Sequence, residues 1–340
     1  MSKIVCFGEI MLRLNPYGYS RIIQSDCFFA SYAGAEANVA VSLANYGMES
    51  SFITKLPKNE LGQAALNEVR RYGVNTDHIV RGGNRLGVYF IEKGASQRAS
   101  KVIYDRKNSA IAEALPEEFD WNEIFTDAHW FHFTGITPAL SDTAADCCIN
   151  ACKIAKEMGV TVSCDLNYRK NLWSREKANE VMSVLMQYVD VCIANEEDAY
   201  DVFGITADNT DVTKGKLSRS SYENVARSIA ERFGCQDVAI TLRTSISAND
   251  NEWAGVLLSR DIFCLSKTYP IHIVDRVGGG DAFAASLIYS LLTGMDAQSA
   301  VEFAVAASCL KHTIENDFNL VSVAEVESLV SGNATGRVQR

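Results

Sequence analysis

Strand-like apolar runs alternate with helix-like segments along most of the 340 residues, and this order constrains the fold more than any other feature. Ile4 to Phe7 is a short apolar run ending in glycine, the pattern of a buried strand. Ala37 to Tyr46 sets Ala37, Ala40, Val41 and Ala44 on one helical face and stops at Gly47. Ser51 to Leu56 predicts a strand, and Leu61 to Tyr72 a helix stopped by Gly73. Further strands are predicted at Trp130 to Phe133, Val160 to Asp165, Val189 to Ala194, Val238 to Leu242 and Ile271 to Val274. Asp142 to Met158, Asp281 to Leu292 and Ser299 to Thr313 read as helices. Such repetition predicts an α/β fold with a mostly parallel sheet covered on both faces. Ligands of these sheets bind beyond the carboxyl ends of the strands, so residues just after each strand are the functional candidates.

Two segments, about 12–33 and 84–106, lack helical period. Leu86 to Ile91 and Lys101 to Arg106 read as a hairpin turning near Gly94, part of a small extra sheet able to act as a lid. The polar stretch 206–221 reads as a surface loop. With no internal repeat, residues 1–340 read as one domain carrying these lid segments.

The net charge of −10, with no run of Lys and Arg, excludes nucleic acid and anionic membranes as partners. The longest apolar stretch, Ala282 to Leu292, is too short to span a bilayer, and the N-terminal apolar run is broken by Gly8 and Glu9. Ten scattered cysteines without a Cys-x-x-Cys pair read as small buried hydrophobes in a reducing compartment, which predicts a cytoplasmic protein. An anionic ligand must then be held by a few placed cations and by backbone amides.

The sharpest motif is Asp275-Arg276-Val277-Gly278-Gly279-Gly280-Asp281-Ala282-Phe283. Three glycines follow a predicted strand and a helix is expected to open at Asp281. Consecutive amides and a helix N-terminus make a place for phosphate oxygens that carry developing charge. Asp281 stands at its rim, able to accept a proton from a hydroxyl, and the helix end favours its ionised form. The alternative is a tight turn with Asp as a cap. No Lys-Ser/Thr follows the glycines, so this is not a P-loop, and the first strand lacks the dinucleotide fingerprint.

This stretch resembles the Asp-Thr-x-Gly-Ala-Gly-Asp signature of the ribokinase-like (PfkB-type) sugar kinases. Gly34-Ala35-Glu36-Ala37-Asn38-Val39-Ala40, followed by Leu43, Gly47 and Gly62, resembles their first signature. The resemblance runs from Ile4 to about Leu329. It implies a three-layer α/β/α domain with a small β lid, ATP as donor and Mg²⁺ as partner, and it leaves K⁺ dependence open. Within the family the chain is most similar to 2-keto-3-deoxygluconate kinases. That similarity rests on Gly34, Gly87-Val88-Tyr89, Tyr104-Asp105-Arg106-Lys107, Thr134 to Leu140, Asp165-Leu166-Asn167-Tyr168-Arg169 and Leu172-Trp173-Ser174. It implies that Gly34, Asn38, Tyr89, Tyr104, Arg106, Arg169 and Asp281 face the sugar. Asn167, Asn195, Arg243, Ser245, Gly278 and Gly280 would then face ATP, and Gly278 to Gly280 with Asp281 would carry the chemistry. Guanidinium forks suit the carboxylate of a sugar acid, although a solvated or structurally paired cation is the alternative for each arginine. Packing within the lid is the corresponding alternative for the two tyrosines.

The chain also departs from the family pattern. Arg276 stands for the usual Thr and Gly279 for the usual Ala. Asn195-Glu196-Glu197-Asp198 puts an Asp where a Glu near Mg²⁺ is common, making Asp198 the metal candidate. Arg243 to Ser247 replaces a Lys-x-Gly stretch on the nucleotide side. Arg13 stands where neutral-sugar kinases often carry an Asp. The expected reaction is transfer of the ATP γ-phosphoryl to the 6-hydroxyl of 2-keto-3-deoxygluconate by a homo-oligomer, a dimer or larger, joined through the lid sheets. A kinase for a ketohexose or 5-keto-2-deoxygluconate, or a non-catalytic sugar or nucleotide sensor, is the alternative.

Overall fold

A computed structural model describes residues 2–206 and 219–333. Strands β1 (Lys3–Phe7), β4 (Glu49–Ile53), β9 (Ala128–Thr134), β10 (Thr161–Asp165), β11 (Val191–Asn195) and β12 (Asp237–Ser245) form the parallel part of the main sheet, in the order β4-β1-β9-β10-β11-β12. Beyond β12 the direction reverses: β13 (Asp250–Ser259) pairs antiparallel with β12, and β14 (Ile262–Leu265) and β15 (Tyr269–His272) pair with β13. The sheet therefore has nine strands.

Alternation along β1 shows why helices cover both faces. Val5 and Phe7 join a cluster with Phe131, Phe133, Cys164 and the cysteine-rich face of helix Asp142–Glu157. Ile4 and Cys6 point the other way, towards helices Ala35–Asn45, Gly279–Leu292 and Ala297–Lys311. This is the expected three-layer α/β/α arrangement. Caps fix where helices start: Ser141 accepts from the Ala144 N–H and Asn59 from that of Gly62.

A separate four-stranded sheet takes β2 (Met11–Asn15), β3 (Phe29–Ala33), β7 (Val88–Glu92) and β8 (Lys101–Asp105), in the order β3-β2-β7-β8. It is built from the two segments that lacked helical period. Its β7–β8 hairpin pairs Tyr89 with Tyr104. A two-stranded piece, β5 (Lys55–Leu56) with β6 (Val80–Arg81), completes the sheets.

Several boundaries differ from the sequence reading. Ser51 to Leu56 is split between β4 and β5, because Thr54 breaks the ladder. The strand expected at Ile271 to Val274 lies at Tyr269–His272, on the antiparallel edge. β12 runs on to Ser245 rather than ending at Leu242, because Arg243, Thr244 and Ser245 pair with β13. Of the loop expected at 206–221, residues 207–218 lie outside the described residues, and Arg219 to Ser221 open helix Arg219–Phe233.

The winding reverses at β1, between β4 and β9. Such a switch point opens a crevice at the carboxyl ends of the strands. The three residues between β1 and β2, Gly8, Glu9 and Ile10, carry the chain from that crevice into the small sheet.

Candidate active site

A cavity of about 1060 Å³ opens at that crevice, lined by residues of both sheets. Every expected site residue lines it: Gly34, Asn38, Tyr89, Tyr104, Arg106, Asn167, Arg169, Asn195, Asp198, Arg243, Ser245, Gly278, Gly279, Gly280 and Asp281.

The glycine turn differs in detail from the sequence reading. Gly278 is the N-cap in the left-handed region, φ +83°, and the helix already starts at Gly279. A side chain at Gly278 would meet the Asp317 carbonyl oxygen at 2.0 Å. The first N–H groups of a helix have no acceptor within it, and that of Ala282, bonded to Gly278 O at 2.9 Å, is the first with one here. The amides of Gly278 to Gly280 thus precede the helical ladder and lie on the cavity wall. Gly279 packs against the His312 ring, and a Cβ there would stand 2.3 Å from Cε1. The ring is held by a 2.6 Å contact between Nδ1 and Ser308 O and lies beside Trp253. The departure from alanine at 279 therefore accommodates His312.

Asp281 is buried, and Asn38 Nδ2 donates to its Oδ2 at 2.6 Å. Asn38 Oδ1 lies 3.4 Å from the Gly34 N–H, which fixes the amide's orientation. Asn38 thus aims Asp281 rather than standing free for the sugar. Gly34 itself admits no side chain, because a Cβ would lie 1.8 Å from Glu9 O. Burial pushes the Asp281 carboxyl up to about 7, while the Asn38 hydrogen bond opposes the rise. Burial therefore outweighs the helix end, which alone would favour ionisation. The result is a base poised near neutrality.

Sequence reasoning missed four buried carboxylates on the cavity: Glu9, Glu36, Asp165 and Asp317. Glu9 changes the account of Arg106. Nε of Arg106 donates to Glu9 Oε2 at 2.8 Å, and Nη2 donates to the same oxygen. The fork expected to be open for a substrate carboxylate is engaged within the protein. Arg169 is exposed, forms no ion pair among the described residues, and has one 3.0 Å hydrogen bond, to Tyr168 O. Tyr89 is also engaged, donating to Asp317 Oδ1 at 2.7 Å. Tyr104 is 44% exposed, with the Arg106 guanidinium 5.4 Å from its ring centre. Arg13 is fully buried, bonded to Asp275 and Asp317, and does not line the cavity. It cannot select substrates by contact. No local signal marks these pairs, whose partners lie 97 to 304 positions apart.

Towards the nucleotide side, Asn195 Oδ1 accepts from the N–H groups of Glu197 and Asp198. Asp198 in turn accepts from Asn195 N–H at 3.0 Å and Tyr168 N–H at 3.1 Å, clasping the ends of β10 and β11. Burial raises the Asp198 carboxyl to about 6 and pushes Asp165 up as well, with Asp198 and Asp281 adding repulsion at Asp165. No three His, Cys, Asp or Glu side chains converge on one point among the described residues. Mg²⁺ characteristically takes one or two carboxylates, several waters and substrate phosphates. The buried pair Asp165 and Asp198, whose charges are offset only in part by Arg169 and by backbone N–H groups, fits that pattern.

The profile of the pfkB family carbohydrate kinases matches residues 1–242 and 252–317. The chain belongs to the pfkB family of carbohydrate kinases. It is an ATP-dependent sugar kinase by class. Among curated relatives, a 2-dehydro-3-deoxygalactonokinase of Haloferax volcanii is 32% identical over 98% of each chain. A 2-dehydro-3-deoxygluconokinase of Thermoproteus tenax is 27% identical, covering 97% of this chain and 94% of its own. Among solved structures, a 2-dehydro-3-deoxygluconokinase of Thermotoga maritima superposes with a TM-score of 0.94 at 52% identity, covering 97% of this chain and 98% of that one. No helix among the described residues is long and apolar enough to cross a membrane.

Proposed function

We propose that this pfkB kinase transfers the γ-phosphoryl of ATP to the 6-hydroxyl of 2-keto-3-deoxygluconate. The observation that carries the reading is the shared cavity: a poised carboxylate and a glycine helix start line it together with Arg169, an exposed cation that forms no ion pair among the described residues and whose charge acts on Asp281. The names of the relatives, which differ in the sugar-acid epimer, support the substrate class.

Asp281 accepts the proton of the attacking hydroxyl while Asn38 holds its other oxygen. The amides of Gly278 to Gly280 stabilise charge on the transferring group. The transition state of phosphoryl transfer is loose, so positioning and electrostatics supply most of the rate. Arg169 grips the acid's carboxylate, and the neutralised Arg106–Glu9 pair presents a polar wall to its hydroxyls. Arg243 and Ser245 line the nucleotide end with Asn167 and Asn195. Mg²⁺, held by Asp165 and Asp198, would neutralise phosphate charge when bound. The small sheet acts as a lid that excludes water from the reacting phosphoryl. Its edge strand β8 turns Val102 and Tyr104 to the cavity and exposes Ile103, and this unpaired edge supports assembly into dimers or larger oligomers. Ten unpaired cysteines, all but Cys27 buried, support a cytoplasmic setting.

The test is an ADP-coupled assay with ATP and Mg²⁺ across both epimers of the keto-deoxy acid, 5-keto-2-deoxygluconate and neutral ketohexoses. Preference for a keto-deoxy acid with phosphate on the 6-hydroxyl supports the reading, and preference for a neutral ketohexose contradicts it.

A further inference from the structure

Beneath the glycine turn lie two fully buried cations that the chemistry above does not use, Arg13 and Lys311. Arg13 joins the small sheet to two carboxylates: Nη2 meets Asp275 Oδ2 at 2.6 Å, and Nη1 meets Asp317. Lys311 ends helix Ala297–Lys311. Its Nζ donates to the carbonyl oxygens of Asn316 at 2.5 Å and Ile314 at 3.3 Å. The charges of Asp275 and Asp317 also act on it. With Lys93, whose Nζ lies 3.6 Å from Asp275 Oδ2, these cations face the two buried carboxylates, and of the two only Asp317 borders the cavity.

This cluster is seated against the turn. A Cβ at Gly278 would stand 2.0 Å from Asp317 O and 3.1 Å from Lys311 Cε. The Asn316 N–H reaches Asp275 Oδ2 at 3.2 Å, tying the loop back to the strand end before the glycines. Backbone carbonyls aimed at one buried point, beside carboxylates, repel one another unless a cation stands between them. Carbonyl and carboxylate oxygens are also the ligands that a dehydrated hard metal ion would take. Here the cation is a side chain of the protein.

We propose that Lys311 is a positioning residue: its ammonium holds the loop 314–317 beneath Gly278 to Gly280, so that the phosphoryl-binding turn is set without any added monovalent metal ion. The proposal rests on the kinase reading but not on which sugar is accepted, so its assay uses whichever sugar of the panel turns over.

The first measurement is kcat of the wild-type enzyme in K⁺, Na⁺ and tetramethylammonium salts at equal ionic strength. The expected values agree within about twofold, and activation by K⁺ beyond about tenfold overturns the proposal. The second compares Lys311→Met and Lys311→Ala, with melting curves as the check on folding. A folded Lys311→Met enzyme is expected to lose at least about tenfold in kcat while KM for ATP moves little. Ammonium or methylammonium ions are expected to restore part of kcat to Lys311→Ala and to leave the wild type unchanged. A folded Lys311→Met enzyme within about twofold of wild-type kcat overturns the proposal. Should neither variant fold, the wild-type salt series alone decides.

Discussion

Asn38 Nδ2 lies 2.6 Å from Asp281 Oδ2, joining the first helix of the chain to the glycine-rich helix 243 positions later. The contact leaves the other carboxylate oxygen for a substrate hydroxyl. It also marks the place where the molecule's stability and its chemistry conflict, because the carboxylate is buried and its pKa is pushed up to about 7.

The first prediction concerns pH. The reaction needs ionised Asp281, so kcat/KM should fall about tenfold per unit below an apparent pKa near 7. Stability runs the opposite way. The folded pKa lies above the unfolded value near 3.8, so the cost of ionisation grows from about pH 4 and is complete above about pH 7. Asp281→Asn should therefore melt higher than wild type at pH 8, by an amount on the order of 4 kcal/mol, and should lose this advantage below pH 4. Paired melting curves at the two pH values check the sign.

The second prediction concerns Gly279 and His312. A Cβ at 279 would lie 2.3 Å from the imidazole, so Gly279→Ala must displace either the ring or the turn. Strain of this kind typically costs about 1–3 kcal/mol. The turn carries the phosphoryl-binding amides, so kcat should fall with stability. Adding His312→Ala should recover much of both, and a double-mutant cycle measures the coupling.

The third prediction separates the two arginines. Arg106→Ala leaves Glu9 buried and unpaired and should cost about 3–5 kcal/mol of stability. Arg169→Ala removes an exposed side chain and should leave the melting temperature nearly unchanged. It should raise KM for the sugar acid while a neutral sugar analogue is little affected. Equal effects on both sugars would contradict a carboxylate role for Arg169.

The fourth prediction concerns Mg²⁺. Asp198→Asn removes the charge and keeps an acceptor for only one of the two N–H groups, because Tyr168 reaches Oδ1 and Asn195 reaches Oδ2, so melting curves accompany the assay. The Mg²⁺ concentration giving half-maximal rate should rise several-fold, and titration of rate against free Mg²⁺ checks it.

Much of this site was legible because glycine and the strand-to-helix order leave marks in sequence. Gly34 and Gly278 stand where backbone approaches backbone, and only glycine fits there. The layer order followed from alternating elements. What stayed hidden were pairings across the chain, such as Arg13 with Asp317 or Arg106 with Glu9, since a buried ion pair has no local period. The strand β13 was hidden as well: its pattern is masked by burial on both faces towards its end, although the Ser247 to Asn251 cluster before it is of the type that signals a turn.

The central claim is tested most directly by the rate at which Asp281→Asn phosphorylates 2-keto-3-deoxygluconate at pH 8, with folding checked by melting and acid binding checked by calorimetry. The account predicts a folded protein that binds the acid and turns it over about 10²–10⁴-fold more slowly than wild type. A folded variant that works within about twofold of the wild-type rate would contradict it.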